Sequence, residues 1–420
     1  MTGWLFGLMR KISGPMALAT SSQMISSITN FLFVLTLIAQ LSPSGFGLYS
    51  IAFAVMLGGT AVLQGFFQLQ MVTTLPKIEE DHRSDFAAAL FFAQLGTTLL
   101  VATPITVVLG ATVGATEIWG LSCTTALAIL GLSGKEFLIR FLFASFRETL
   151  WIPTINLLAS ATLGIMVYAG VTAGGAGFAM LAYGIAQIAA MLLGLLVVKP
   201  VFRPRDVGAP LRAILANGAW GAFSALTYSA RASAHTIIVG ATLTLSDVGH
   251  MNAARTLLTP ATLMIPTLSA VFLPRMSRTM ADFGHLALRT MALRTALALS
   301  ALVCLYAGVL AVAWPMLTRL FLGEEFDGLE SYVLLWSFFA VAIAMRNVTE
   351  WTFQAMQSFR ALSMYNLLAA AVTLASVAIL TPAWGVRGAI FGLIIGEILL
   401  TVVVVKAFGA SSRSQRQPEI

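Results

Sequence analysis

Residues 230–278 read ARASAHTIIVGATLTLSDVGHMNAARTLLTPATLMIPTLSAVFLPRMSR. Two long apolar segments flank a short polar turn, Ser246-Asp247-Val248-Gly249, and Arg231, His235 and Arg255 are set into them. An ionisable group inside a membrane span costs ~2.5–3.5 kcal/mol on insertion scales, so it faces a cavity or a partner. Pro260, Pro266 and Pro274 recur in the second segment. Each removes a helical donor and invites a kink. The stretch closes on the basic stop Pro274-Arg275-Met276-Ser277-Arg278. It reads as two membrane helices carrying part of a polar cavity.

The rest of the chain has the same character. Its 420 residues are 58% hydrophobic and 10% charged, with a mean hydropathy of +0.90, against ~25% charged in a soluble domain. The apolar runs are continuous rather than alternating, which excludes a β-barrel. The fold class is therefore all-α and polytopic, since a helix satisfies its own backbone in lipid. The formal charge of +7 is topogenic rather than a sign of nucleic-acid binding. Cys123 and Cys304 make no metal spacing and read as buried free thiols. Arg10 and Lys11 precede an apolar run too long for a signal peptide, which is taken as a retained first helix.

A span needs ~20 apolar residues. Twelve are predicted, at 16–39, 47–73, 86–109, 118–143, 150–170, 176–198, 214–240, 250–273, 290–313, 329–355, 361–381 and 387–407. Lys135, Glu136 and Arg140 interrupt the fourth; Arg346 and Glu350 interrupt the tenth. With the N-terminus inside, the inner segments collect Lys77, Lys135, Arg140, Lys199, Arg203, Arg205, Arg212, Arg275, Arg278, Arg289, Arg294 and Arg360. The outer loops hold only Arg319 and Arg387, together with Glu117, Asp247, Glu324, Glu325, Asp327 and Glu330. That asymmetry predicts cytoplasmic termini.

The halves repeat. Leu41-Ser-Pro-Ser-Gly-Phe-Gly47 returns as Leu243-Thr-Leu-Ser-Asp-Val-Gly249. Phe146-Arg147 with Asn156-Leu-Leu-Ala159 returns as Phe359-Arg360 with Asn366-Leu-Leu-Ala369, and Gly175-Ala-Gly-Phe178 as Gly388-Ala-Ile-Phe391. The expected organisation is a six-helix lobe 1–198, a basic linker 199–213, a second six-helix lobe 214–408 and a disordered cytoplasmic tail 409–420. Parallel repeats place a substrate site between halves, near the midplane.

At these residues the chain resembles polysaccharide flippases of the multidrug/oligosaccharidyl-lipid/polysaccharide exporter superfamily. The motifs are Leu41-Ser-Pro-Ser-Gly-Phe-Gly-Leu-Tyr49, Val248-Gly249 leading to Ala254-Arg255, and Phe272-Leu-Pro-Arg-Met-Ser277. Leu320-Phe-Leu-Gly-Glu-Glu-Phe326 and Gly385-Val-Arg-Gly-Ala389 complete the set. The resemblance implies a V-shaped alternating-access transporter in a bacterial inner membrane. It would flip a polyprenyl-pyrophosphate-linked oligosaccharide, driven by an ion gradient, beside polysaccharide polymerase and export machinery. One departure is His235, where many relatives carry an acidic residue.

Candidate substrate contacts are Arg231, His235, Arg255, Arg346, Asn30 and Gln64; candidate coupling groups are Glu397, Glu350 and His235. Cationic side chains with amide donors suit a pyrophosphate. Arg231 and His235 share a helix face, and Arg346 and Glu350 are spaced as an ion pair. Arg255 reads equally as an arginine reaching up to head groups from one turn inside its span. Glu397 has no charged neighbour in sequence, which makes it the leading proton candidate. No metal site, cofactor or catalytic set is expected, and no GxxxxGK[ST] is present to use ATP. The competing readings are a multidrug or organic-cation antiporter of the same fold, a membrane-embedded polymerase or acyltransferase, and a non-transporting scaffold. The cation antiporter calls for an acidic cavity, whereas here three arginines outnumber Glu350 and Glu397. The polymerase calls for a large outer loop.

Overall fold

The computed structural model describes residues 15–75, 78–112, 118–145, 151–198, 208–317, 326 and 328–414. Among these, every regular element is helical. The chain enters through α1 (Pro15–Gln40), α2 (Pro43–Thr74), α3 (Glu80–Thr112), α4 (Ile118–Ser145), α5 (Trp151–Tyr168) and α6 (Ala176–Val198). It continues through α7 (Gly208–Thr242) and α8, which starts as Leu245–Leu257 and resumes at Thr259. α9 (285–317), α10 (Glu330–Ala355), α11 (359–384) and α12 (386–414) follow. Each predicted span falls on one of these helices.

Among the described residues, seven helical stretches are long and apolar enough to cross a membrane by length and composition. Two of them, Phe272–Leu317 and Arg360–Val403, run 46 and 44 residues. At 1.5 Å per residue each is roughly twice a ~30 Å hydrocarbon core. Each is broken by a glycine in the left-handed region, Gly284 at φ 74° and Gly385 at φ 62°. Only glycine enters that region without a Cβ penalty, so each stretch becomes two crossings. The chain is a multi-pass membrane protein.

Contacts divide the chain into two compact units, Met1–Ser229 and Ala230–Ile420, with the boundary inside α7. In the first unit, α4 and α6 pack heavily. Cβ atoms at Gly131 and Gly184 would meet Ile188 and Ala128 respectively. The two contacts have nearly the same sequence offset, 57 and 56 residues, so α4 and α6 run parallel and α5 connects them in the opposite direction. In the second unit, Gly388, Gly392 and Gly396 form a stripe on α12 whose Cβ positions meet Leu380, Val377 and Thr373 of α11. That ordering is antiparallel. Lipid gives helices no hydrophobic drive toward each other, so such small-residue stripes let backbones approach and make the contact. The second unit's core is Ile265, Met276, Leu299, Ala344, Trp351 and their neighbours.

The repeat has a structural counterpart. Ser42 caps α2 by accepting from the Gly45 amide at 3.3 Å, and Thr244 caps α8 by accepting from the Asp247 amide at 3.2 Å. The two caps stand at equivalent positions of the Leu41 and Leu243 motifs. Asp247 returns the bond by accepting from the Thr244 amide, closing a capping box. This corrects the turn predicted at 246–249: the break is at Leu243–Thr244, and Ser246–Gly249 is already helical. The three prolines do not open α8 beyond Leu258. Pro260 falls in the first turn from Thr259, where a missing N–H costs little.

Other expectations also change. Cys123 and Cys304 are free but exposed, not buried, because each sits on the outward side of an apolar helix. Lys135, counted with the inner loops, is buried in α4. α7 begins at Gly208, six residues before the predicted lobe boundary, and α12 continues to Ser414. Residues 199–207 of the linker, 318–325 of the Leu320 motif and 415–420 of the tail lie outside the described residues.

Candidate translocation site

Three helices of the second unit bring charge into its apolar interior, and a fourth brings an amide. Arg346 Nη1 lies 2.7 Å from Glu350 Oε1 on the next turn of α10, which is the ion pair its spacing predicted. Arg346 Nε lies 2.5 Å from Glu397 Oε2 on α12. This is a close charge contact between the two helices. Arg231 of α7 lies 4.0 Å from Glu350 and donates to Asn366 Oδ1 of α11 at 3.1 Å. Arg231, Arg346 and Glu397 are all buried. A buried charge is tolerated only with a partner, and here two guanidiniums meet two carboxylates. The expected excess of cation over anion is thus offset at this level. Glu397 is not the isolated carboxylate its sequence neighbourhood suggested: α10 and α12 pack together, and the arginine comes from another helix.

His235 and Arg255 form a second cluster one turn further along α7. His235 is 2% exposed. Its Nε2 is 3.4 Å from Thr236 Oγ1 and 3.5 Å from Arg255 Nη1. The ring meets Trp336 edge-on at 5.6 Å, and the Arg255 guanidinium stands 5.6 Å over the same indole. Trp336 is fixed by donating to the Met251 carbonyl at 3.0 Å. His235 Nδ1 is buried without a hydrogen-bond partner among the described residues. Arg255 lies near the end of the segment Leu245–Leu257 rather than one turn inside α8, so a head-group contact gives way to this inward one.

The first unit carries its own buried polar centre, which sequence reasoning missed. Lys135 is 3% exposed, donates to Asn156 Oδ1 at 3.0 Å and pairs with Glu136 at 3.3 Å. Asn156 donates onward to Ser22 of α1 at 2.5 Å. Asn156 and Asn366 are the two asparagines of the internal repeat, and each accepts from a buried cation of its own unit. The signal was in the sequence, because the repeat pairs them. Asn30 faces the Tyr183 hydroxyl of α6. Gln64 is half-buried at the start of the π-helical turn Gln64–Gln68 in α2. Gln68 and Gln94 both donate to the Ser133 carbonyl at 3.0 Å, a brace between helices. No cluster of three metal-ligating side chains occurs among the described residues.

A family model described as polysaccharide biosynthesis protein matches residues 37–331, well over half of the chain. The chain belongs to the polysaccharide biosynthesis protein family. A search of curated sequences finds no significant match. Among solved structures, the chain resembles an inward-facing multidrug-resistance transporter of the MATE family, in the MOP superfamily. Their TM-score is 0.71 at 13% identity, covering 97% of this chain and 100% of that one. It is also similar to the lipid II flippase MurJ in an inward closed conformation, with a TM-score of 0.70 at 12% identity over 93% of this chain and 87% of that one. A MOP-superfamily transporter from Pyrococcus furiosus matches with a TM-score of 0.56 at 13% identity, over 96% of this chain and 95% of that one. At such identities the likeness establishes the fold, which is that of the MOP-superfamily transporters. These structural relatives are transporters and a flippase, not enzymes.

Proposed function

We propose that this chain is a flippase that moves a polyprenyl-pyrophosphate-linked oligosaccharide across the bacterial cytoplasmic membrane for polysaccharide assembly. Its two lobes, 1–198 and 214–408, alternate access, both termini are cytoplasmic, and a polymerase takes the product. The observation carrying this reading is the buried Arg231–Glu350–Arg346–Glu397 network in a polysaccharide biosynthesis protein with a transporter fold. A pyrophosphate competes with Glu350 and Glu397 for the same guanidiniums, since both anions accept from the arginine fork. Protonating a carboxylate releases an arginine to the substrate, and deprotonation draws it back. Substrate capture and proton uptake are then one exchange, which couples transport to a proton gradient. Arg255, beside His235 and Trp336, adds a second contact for the anion or its first sugar; Asn30 and Gln64 line the path in the first lobe.

A cation antiporter is less well supported. Glu136, Glu350 and Glu397 each touch a lysine or arginine. The deciding experiment is deletion of the gene followed by leaflet-resolved analysis of lipid-linked oligosaccharides. Accumulation in the inner leaflet supports the proposal; an unchanged distribution with normal polymer overturns it. Reporter fusions at Asp247 and Gly409 test the topology, with outside and inside the expected answers.

A further inference from the structure

Residues 275–294 read RMSRTMADFGHLALRTMALR, four arginines against one aspartate. They form the hairpin between α8 and α9, turned at Gly284 and closed by Thr279 Oγ1 against Met291 Sδ at 3.3 Å. α9 runs from 285 to 317, about 50 Å at 1.5 Å per residue. Residues 295–317 carry no charge and by themselves suffice for the ~30 Å core. Residues 275–294 therefore stand at the head-group level. There Phe283 is 74% exposed and Leu286 66%, beside exposed Arg275, Arg278, Arg289 and Arg294. Apolar side chains interleaved with arginines are the composition of an interfacial membrane contact.

A groove of about 590 Å³ runs along this hairpin, lined by Phe272, Phe283, Leu286, Thr290, Met291 and Arg294 among others. Leu286, Thr290 and Arg294 follow at i, i+4 and i+8 on one face of α9. At the membrane end the Phe272 ring lies stacked on Trp351, 6.4 Å away and 7° from parallel, so that wall is fixed. The groove thus has an apolar end toward the hydrocarbon, the Arg294 guanidinium as its charged group, and an apolar rim at the interface, while the Thr290 hydroxyl donates to the Leu286 carbonyl at 3.0 Å.

We propose that this groove holds an anionic phospholipid. Its phosphate meets Arg294, one acyl chain leaves past Phe272 into the bilayer, and the surrounding arginines select negative charge. The occupant is a resident lipid of the inner leaflet rather than the transported substrate. Each arginine near an anionic surface strengthens binding about five-fold.

The test uses the purified full-length protein in detergent, titrated with phosphatidylglycerol or phosphatidylcholine and read by native mass spectrometry. Phosphatidylglycerol should be retained in preference. Arg294→Gln should weaken its retention about five-fold, Arg294→Lys should keep most of it, and Arg360→Gln, exposed elsewhere, should leave it unchanged. Equal retention of the two lipids, an unaffected Arg294→Gln, or equal losses in Arg294→Gln and Arg360→Gln would each overturn the proposal. So would displacement of the lipid by equimolar polyprenyl diphosphate, which would make the groove a substrate site.

Discussion

Arg346 holds two carboxylates at once, Glu350 at 2.7 Å along its own helix and Glu397 at 2.5 Å across to α12. Removing it takes the paired guanidinium from Glu397 and leaves Glu350 with the more distant Arg231, 4.0 Å away. Breaking a buried pair costs about 3–5 kcal/mol, because a charge is left without compensation. Arg346→Gln should therefore lower the melting temperature of the purified protein and abolish export. Arg346→Lys cannot reach both carboxylates with a fork and should be intermediate. An Arg346→Gln protein with unchanged thermal stability would remove Arg346 from the centre of the network.

Glu397 now has a defined role to test. Glu397→Gln keeps the volume and leaves Glu350 as the carboxylate paired with Arg346. Transport should persist at a reduced rate and lose its response to an imposed pH gradient. Glu350→Gln should behave similarly and also loosen Arg231, whose remaining named partner is Asn366. Proteoliposome rates measured with and without a gradient distinguish these outcomes. A Glu397→Gln protein that still follows the gradient assigns coupling elsewhere.

Lys135 and Asn156 make a matched test in the first unit. Asn156→Ala leaves a buried ammonium short of an acceptor, a loss of about 1–3 kcal/mol. Lys135→Met combined with Asn156→Leu should cost less than the two single changes added together, since buried polar pairs often exchange for apolar ones at little net cost. Denaturation midpoints of the four proteins give the coupling directly; strict additivity would mean the contact contributes nothing.

Gly65 and Gly221 touch backbone to backbone, each where the other's Cβ would stand. The contact lies at the π-helical turn of α2, and such turns often mark functional positions. Gly221→Ala or Gly65→Ala must push α2 and α7 apart, and both should impair stability and transport. Gly96→Ala meets open space and serves as the control. If Gly221→Ala matched it, the close crossing would not matter.

The helices were legible because their code is local. Long uncharged runs and the repeated Leu41 and Leu243 motifs each speak for a segment by itself, whereas the turns at Gly284 and Gly385 came from the structure. The Arg346–Glu350 pair was legible for the same reason, being one turn long. Glu397 was not, because its partner is on α10 and sequence spacing carries no information about which helices pack. Lys135 was misread because a lysine near the end of a predicted span looks like a loop charge until its acceptor, Asn156 on α5, is known. Asn366 and Trp336 went unassigned for the same reason: each matters through a group brought to it by folding.

The most direct test of the flippase account is translocation itself. The purified protein is reconstituted into liposomes carrying a fluorescent polyprenyl-diphosphate oligosaccharide, and a membrane-impermeant quencher reads the outer leaflet over time. The account predicts protein-dependent redistribution between leaflets, faster under a pH gradient and lost in Arg346→Gln. Redistribution no faster than in protein-free liposomes, with the protein folded and correctly inserted, would contradict it.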